Sequence, residues 1–324
     1  AFTWHSANYQ PTLIAFKMIN NKNKKISITI ISGFLGSGKT TFLNNYIRQL
    51  LKKDEKITII MNEFGSFDVD SLLIEEDITV KSLINGCVCC DLNNDLVLQL
   101  QSLIKEGVSQ HILIESTGIA HPLEVFAACQ DPTIVNDVEI PKIIGLVDAL
   151  RFNNRMKYTA ETNELMEEQI KYSDVIILNK MDLVTQVELE NIKKQLASIN
   201  NKATIYVTTY SKLDDVVVKN KSTDINRHVH VHHHNVQSMK YTFSSPIDRQ
   251  LFYQFIMRLP DEVFRLKGFV KFKDQSDSTY EFQFSMGLPT YGITDREVPL
   301  TIVIIGEMLD TTRLKNQLEM IQFT

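Results

Sequence analysis

The chain has 324 residues, of which 44% are hydrophobic and 23% charged, and its formal net charge is −5. A chain of this length can bury a full core and is expected to divide into two domains. The acidic balance supplies no general attraction for phosphate backbones or anionic lipid, so we expect neither nucleic acid nor a membrane as a partner. The apolar runs have strand length and fall short of the roughly 18 to 20 residues that a membrane-spanning helix needs.

The first 25 residues lack the basic start and apolar region of a secretion signal. We interpret residues 1–25 as a disordered or cloning-derived extension, with Met18 as a plausible natural start. Three of the four cysteines lie within four positions, unlike the dispersed cysteines of a secreted disulfide scaffold. A reducing cytoplasm is therefore the expected location.

Six short, largely apolar runs predict strands that are covered on both faces. The segment 40–53 lies between the first two and has apolar residues at helical spacing. This alternation predicts an α/β domain with a mostly parallel sheet and helices on both faces, over residues 26–210. The predicted strands are 26–31, 56–61, 111–115, 142–148, 174–179 and 203–209.

A polar stretch at 211–238 carries five of the eight histidines and is interpreted as a linker. Beyond it, a helix at 248–259 lies among the strand-like runs "KYTFS", "VFRLKGFVKF", "TYEFQFSM" and "LTIVIIG", and a second helix follows at 309–322. This order predicts a smaller α+β domain with an antiparallel sheet over 239–324.

The segment "GFLGSGKT", Gly33 to Thr40, matches the phosphate-binding loop pattern GxxxxGK[ST] between a predicted strand and helix. Its backbone N–H groups around Gly36, Ser37 and Gly38 are expected to bind phosphate oxygens at a helix N-terminus. Lys39 would reach the β- and γ-phosphates, and the hydroxyl of Thr40 would bind Mg²⁺. This motif predicts a P-loop NTPase fold.

The segment "LNKMD" follows a predicted strand and contains an NKxD pattern at Asn179, Lys180 and Asp182. The carboxylate of Asp182 can accept hydrogen bonds from two donors of guanine that adenine does not present together. The pattern alone also fits an ordinary turn at a strand end. In combination with the phosphate-binding loop it favours GTP over ATP, because the wrong base would leave a buried acceptor unpaired.

Glu115 ends the apolar run "HILIE" and is a candidate Mg²⁺ or water ligand, while Gly118 can bring a backbone N–H to the γ-phosphate. The alternative for Glu115 is a capping residue at the end of a buried strand. Glu63 and Asp70 follow the second predicted strand in a switch-like position, and a solvated acidic loop explains them equally well.

The segment "NGCVCC" contains Cys87, Cys89 and Cys90. Three thiolates without a fourth protein ligand suit Zn²⁺, Cu⁺ or Co²⁺ in an incomplete shell that can release its ion. A redox C-x-x-C pair and inert buried cysteines remain alternatives. The isolated Cys129 is interpreted as a small core residue.

Alternate positions of "HVHVHHH" would present histidines on one side of an extended chain. Such tracts bind metals weakly and exchangeably, although incidental histidines in a solvated linker are an alternative. These candidate weak ligands are His228, His230, His232 and His234.

Taken together, the segments "GFLGSGKTT", "NEFG", "NGCVCC", "ESTGIAHP" and "LNKMDL" resemble, in order and spacing, the CobW-like P-loop GTPases, a family of metallochaperones and metal-insertion regulators. The resemblance extends from about Ile26 through the His-rich linker to "RLKGFV" and "IGEMLD". It implies slow GTP hydrolysis coupled to metal delivery to a client protein, with Gly33 to Thr41 and the NKxD residues binding nucleotide. It also implies a metal site at the three clustered cysteines and a Mg²⁺ role for Glu115.

Several features depart from the family pattern. No cysteine-containing docking motif of the kind that serves methionine aminopeptidase stands near the N-terminus, and the "TTYSK" segment matches a base-lining loop only approximately. No glutamine or arginine stands out as an in-chain aid to hydrolysis, which is consistent with slow turnover.

The sequence therefore predicts a GTPase that uses GTP and Mg²⁺ to deliver zinc, or cobalt, to a client, as a monomer or homodimer. The alternative is a metal-storage protein without significant GTP turnover.

Overall fold

The computed structural model describes residues 25–51, 56–61, 78–82, 92–212, 236–285 and 287–324. The predicted extension and most of the predicted linker lie outside these ranges. Among the helices described, none has the length and apolar character required to cross a membrane.

The first half of the chain forms a seven-stranded sheet in the order β3-β2-β4-β1-β5-β6-β7. All of its strand pairings are parallel. Parallel neighbours need crossover connections, and helices supply most of them. The strands are β1 Ser27–Gly33, β2 Ile57–Met61, β3 Ile78–Ser82, β4 His111–Glu115, β5 Lys142–Asp148, β6 Val175–Asn179 and β7 Thr204–Val207.

Helices cover both faces of this sheet. Successive residues of a strand point to opposite faces, so neighbouring residues of β1 pack against different helices. On one face, Ile31 shares a core cluster with Phe42 and Ile47 of the first helix. On the other, Ile30 shares a cluster with Leu100 and with Cys129, whose predicted core position is confirmed. The helices are α1 Lys39–Leu51, α2 Leu92–Glu106, α3 Pro122–Cys129, α4 Ala149–Asn153, α5 Ala160–Lys171 and α6 Gln186–Ile199.

In the second half, the described residues 236–285 and 287–324 form a five-stranded antiparallel sheet in the order β11-β10-β9-β12-β8, with two helices. Its core is rich in aromatic residues, including the fully buried Phe252, Phe272 and Phe282. Its elements are β8 Gln237–Thr242, α7 Arg249–Ile256, β9 Val263–Phe272, β10 Gln275–Ser285, β11 Leu288–Thr294, β12 Thr301–Gly306 and α8 Thr311–Phe323. The predicted fold class, with a parallel-sheet unit followed by a smaller α+β unit, is confirmed.

Two strands were not predicted. The strand β3 has the sequence "ITVKS", in which only three residues are apolar or β-branched before a lysine. The edge strand β11 contains Pro289 and Gly292, which are typical of turns, and most of its residues are exposed. Edge strands tolerate both residue types because one side of the backbone needs no partner.

Ion pairs connect the two sheet units through α3 and the short segment after it. Lys267 on β9 lies 2.8 Å from the carboxylate of Asp131, and both side chains are largely buried, at 16% and 4% exposure. Arg265 on the same strand donates to Glu124 of α3 at 2.8 Å. Because α3 begins shortly after β4 ends, the antiparallel unit contacts the segment that follows Glu115.

Candidate nucleotide site

The predicted nucleotide motifs meet at the edge where the parallel strands end. Glu115, the last residue of β4, is the register partner of Ile31 in β1, two residues before the phosphate-binding loop begins. At the end of β5, Asp148 is the partner of Asn179 in β6. In open α/β sheets, ligands bind outside the carboxyl ends of the strands. The structure therefore brings the three motifs into one candidate site.

The loop between β1 and α1 adopts backbone angles that favour glycine. Gly33, Gly36 and Gly38 have φ values of 142°, 71° and 102°. A Cβ atom at Gly38 would lie only 2.5 Å from the side-chain nitrogen of Asn179. Gly38 therefore allows the loop to approach the NKxD segment, and the helix begins at the next residue.

Several carbonyl groups of this loop accept hydrogen bonds from side chains. The ammonium group of Lys39 donates to Gly33 O at 2.8 Å and to Phe34 O at 3.4 Å. Asn179 donates to Ser37 O at 2.9 Å. Because C=O and N–H point in opposite directions across a trans peptide, this bond turns the N–H of Gly38 to the other side of the loop.

Two cationic side chains bind the next carbonyl groups along the loop. Arg151 Nη1 donates to Leu35 O at 2.8 Å, and Lys180 Nζ donates to Gly36 O at 2.7 Å. The bond to Leu35 turns the N–H of Gly36 away from the guanidinium. An anion-binding surface built from these amides fits the polyphosphate of a nucleotide.

The hydroxyl of Thr40 donates to the carboxylate of Glu115 at 3.0 Å, so the two predicted Mg²⁺ ligands are adjacent. Burial raises the pKa of Glu115, and the bond from Thr40 and the charge of Lys39 partly offset that rise. Burial likewise lowers the pKa of Lys39, while Glu115 opposes that shift. A hydroxyl and a carboxylate are the hard oxygen ligands that Mg²⁺ prefers, so these residues fit the ion.

Gly118 packs directly against the phosphate-binding loop. A Cβ atom there would lie 2.6 Å from the side chain of Leu35 and 2.7 Å from its backbone nitrogen. Gln169 of α5 donates to Gly118 O at 3.2 Å and to Ala120 O at 3.3 Å. The segment after Glu115 is thus held between the loop and α5.

The NKxD residues occupy different environments. The Asn179 side chain is 2% exposed, whereas Asp182 is exposed in a 3-10 turn and pairs with no side chain in the part of the chain that the structure describes. Lys180 has a left-handed backbone, with φ 61°. Thr41, also predicted to bind nucleotide, is exposed on the first turn of α1.

Three contributors to this edge have no role assigned from the sequence, although the first, the "TTYSK" segment, is an approximate match to a base-lining loop. The Thr208–Lys212 segment packs onto it, since Ser211 N donates to Asn179 Oδ1 at 2.9 Å and Asn45 donates to Ser211 O at 3.1 Å. Asp148 and Arg151 contact the NKxD segment or the loop. A polar residue directly after an apolar run was the available signal for Asp148, as it was for Glu115.

The predicted transition-metal ligands lie outside the described residues. They are Cys87, Cys89 and Cys90 and the histidines at 228, 230, 232 and 234, and the residues of the predicted switch-like loop, Glu63 and Asp70, also lie outside. On either side of the three cysteines, β3 ends at Ser82 and α2 begins at Leu92. Within the ranges that are described, no group of three or more His, Cys, Asp or Glu residues could hold a metal ion.

Comparison with known families gives two matches along the chain. Residues 27–207 match the CobW/HypB/UreG nucleotide-binding domain, and residues 236–322 match the cobalamin synthesis protein cobW C-terminal domain.

Among curated relatives, the zinc chaperone YjiA of Escherichia coli is 33% identical over 198 residues, covering 58% of this chain and 59% of that protein. The zinc-regulated GTPase metalloprotein activator 1 of Schizosaccharomyces pombe is 31% identical over 200 residues, covering 59% of this chain and 47% of that protein. The matches thus span about half the length of these relatives.

A crystal structure of Zn(II)-bound YjiA GTPase from E. coli aligns with 92% of this chain and 99% of that chain, at 22% identity and a TM-score of 0.47. A likeness at this level adds nothing to the fold assignment, which the strand order and pairing carry by themselves.

Proposed function

Because the chain belongs to the CobW/HypB/UreG family of nucleotide-binding proteins, we propose that it hydrolyses GTP and couples this reaction to the delivery of a transition metal to a client protein. Zinc is the first candidate for the metal. The observation that carries the nucleotide part is the meeting of the phosphate-binding loop, the Thr40–Glu115 pair and the NKxD segment at one sheet edge.

In this proposal different residues bind the phosphates, the base and the Mg²⁺ ion. The amides of Gly36 and Gly38, with the ammonium of Lys39, bind the phosphates, and the exposed carboxylate of Asp182 recognises guanine. Thr40 and Glu115 would hold Mg²⁺, which when bound would supply positive charge that offsets the negative charge developing during phosphoryl transfer. The buried amide of Asn179 joins the base segment to the loop, so both parts of the nucleotide are bound by one rigid unit.

The transition metal that is delivered would be bound by Cys87, Cys89 and Cys90. Its supports are the thiolate chemistry, which suits Zn²⁺ or Co²⁺, and the names of the relatives, two of which refer to zinc. The described flank also supports it, because β3 runs parallel to β2 and β4 and ends at Ser82, at the same edge as Glu115. A nucleotide-dependent rearrangement at that edge would then change the affinity of the cysteines for the metal ion.

The test is a competitive titration of Zn²⁺ and Co²⁺ in the presence of GTP or GDP with Mg²⁺, combined with measurement of phosphate release. The variants are wild type, the triple Cys→Ser variant at 87, 89 and 90, and Cys129→Ala, which removes a buried thiol outside the cluster. We expect one tightly bound ion per chain, a higher affinity with GTP than with GDP, and loss of tight binding in the triple variant alone.

Equal affinity with GTP and GDP would contradict the coupling. Negligible phosphate release together with several tightly bound ions would instead indicate metal storage. Tight zinc binding that persists in the triple variant would contradict the cysteine assignment. A pull-down with the GTP-loaded protein would then identify the client.

A further inference from the structure

Asp148, at the end of β5, carries a buried carboxylate that none of the nucleotide motifs includes. Its side chain is 6% exposed. One carboxylate oxygen accepts a hydrogen bond from the backbone N–H of Arg151 at 3.0 Å, and the other accepts from Lys180 Nζ at 2.7 Å. A carboxylate buried this far is stable only when it is paired and hydrogen-bonded, and both of its partners here belong to the nucleotide edge.

Both partners of Asp148 also reach the phosphate-binding loop. Lys180 Nζ bridges the carboxylate and Gly36 O, at 2.7 Å from each. Arg151 has its Nε 3.8 Å from the carboxylate and donates through Nη1 to Leu35 O at 2.8 Å. One buried anion therefore fixes two cations that bind successive carbonyl groups of the loop.

We infer that Asp148 is a positioning residue of the nucleotide site, which acts through Lys180 and Arg151 to preorganise the phosphate-binding loop. This inference rests on the proposed function, because it requires that the loop binds GTP phosphates. In this inference Asp148 acts through these two side chains and is not itself a ligand of the nucleotide.

The physical basis is the orientation of the loop peptides. A peptide group that faces no charge can rotate, and each wrongly turned N–H removes one donor from the phosphate site. Arg151 holds the Leu35–Gly36 peptide in one orientation and polarises it, which strengthens the N–H of Gly36 as a donor. Lys180 holds the next peptide, in which the N–H of Ser37 donates to Phe34 O at 3.2 Å, and so it fixes the turn within the loop. A donor oriented before the anion arrives needs no reorganisation when it binds.

Asp148→Asn removes the charge and keeps the shape. The two donors approach different carboxylate oxygens, so an amide in the same place would meet one donor with its oxygen and the other with its NH₂ group, which cannot accept. We expect the affinity for both GTP and GDP to fall about tenfold or more, the loss for one charge-assisted hydrogen bond. Both nucleotides are affected because the loop binds phosphates that they share.

Asp131→Asn is the matched control. Asp131 is also a buried carboxylate, 4% exposed, that accepts from a lysine at 2.8 Å and from a nearby backbone N–H at 3.0 Å. Its lysine is on β9, facing the antiparallel unit and not the nucleotide edge. This variant therefore measures the general effect of neutralising a buried, paired aspartate, and its nucleotide affinity is expected to stay within about twofold of wild type.

The experiment measures the affinity for fluorescent GTP and GDP, and the urea midpoint, for wild type, Asp148→Asn, Arg151→Met, the two combined, and Asp131→Asn. The Arg151 side chain is 41% exposed, so Arg151→Met should fold. We expect it to weaken binding about fivefold, the equivalent of one net hydrogen bond. It should weaken binding less when Asp148→Asn is already present, because the arginine has then lost its anchor.

The outcomes separate this inference from the proposed function. If wild type binds no GTP, the proposed function fails and the inference fails with it. If wild type binds GTP and Asp148→Asn binds as tightly as Asp131→Asn, the inference alone is wrong. If Asp148→Asn does not fold, Arg151→Met decides the matter, and wild-type affinity in that variant would overturn the role of the network.

Discussion

Asn179→Ala should weaken both the fold and nucleotide binding, by amounts that follow from the hydrogen bonds of one buried amide. Asn179 is 2% exposed, donates to Ser37 O at 2.9 Å and accepts from Ser211 N at 2.9 Å. Ser37 and Ser211 are themselves 1% and 0% exposed, so the substitution leaves two buried backbone groups without partners. At about 1–3 kcal/mol for each such group, the free energy of unfolding should fall by about 3 kcal/mol.

Asn200→Ala is the control for this variant. Asn200 is 5% exposed, and its side chain bonds five backbone groups between residues 170 and 203. It lies at the opposite edge of the parallel sheet, just before β7 begins at Thr204. Because Asn200→Ala removes more hydrogen bonds, it should destabilise the fold at least as much as Asn179→Ala. Asn200 does not contact the candidate nucleotide site, so nucleotide binding should be unaffected.

The assay combines urea unfolding, followed by circular dichroism, with titration of fluorescent GTP at a temperature where each variant is folded. We expect the GTP affinity of Asn179→Ala to fall about tenfold or more, because the loop and the base segment lose their link. Asn200→Ala should bind like wild type. Wild-type affinity in Asn179→Ala, or an equal loss in both variants, would refute the reasoning.

Three further predictions concern the ion pair between the sheet units, the buried thiol and the Mg²⁺ ligands. Lys267→Met should reduce the free energy of unfolding by about 3 kcal/mol, because it leaves the carboxylate of Asp131 buried without a cation. Asp131→Asn should reduce it less, because Lys267 still has the carboxylate of Glu281 at 3.5 Å. A urea midpoint that is lower for Asp131→Asn than for Lys267→Met would contradict this. Burial raises the pKa of Cys129, so this thiol should resist labelling in the folded protein at pH 9, which mass spectrometry of labelled native protein can check. The free energy of unfolding should fall as the pH rises past the ordinary thiol pKa of about 8.5, because the thiol then loses its proton only in the unfolded chain. Thr40→Val should lower the affinity for GTP with Mg²⁺ about tenfold, and it should lower the free energy of unfolding by about 2 kcal/mol because Glu115 loses a hydrogen bond. Thr40→Ser, which keeps the hydroxyl, should restore both the stability and the Mg²⁺-dependent binding in a titration of the ion.

Local sequence patterns were sufficient for much of the fold. The strands β4 and β5 have the predicted bounds, 111–115 and 142–148, because each is a continuous apolar run buried on both faces. The pattern failed at β3 and β11, where the runs are short, mixed or interrupted by Pro289 and Gly292. Whether such a segment forms a strand depends on a neighbouring strand that offers backbone hydrogen-bonding groups. The local sequence carries no information about that neighbour.

The sequence by itself determined the family and was sufficient to predict the nucleotide chemistry, because the phosphate-binding loop and the NKxD segment are each contiguous patterns of residues a few positions apart. Only the tertiary structure decided how the motifs are joined. Asn179 reaches Ser37 across 142 positions, Arg151 reaches Leu35 across 116, and Lys180 reaches Asp148 across 32. These contacts follow from strand order and parallel register, which bring the carboxyl ends of distant strands to one edge.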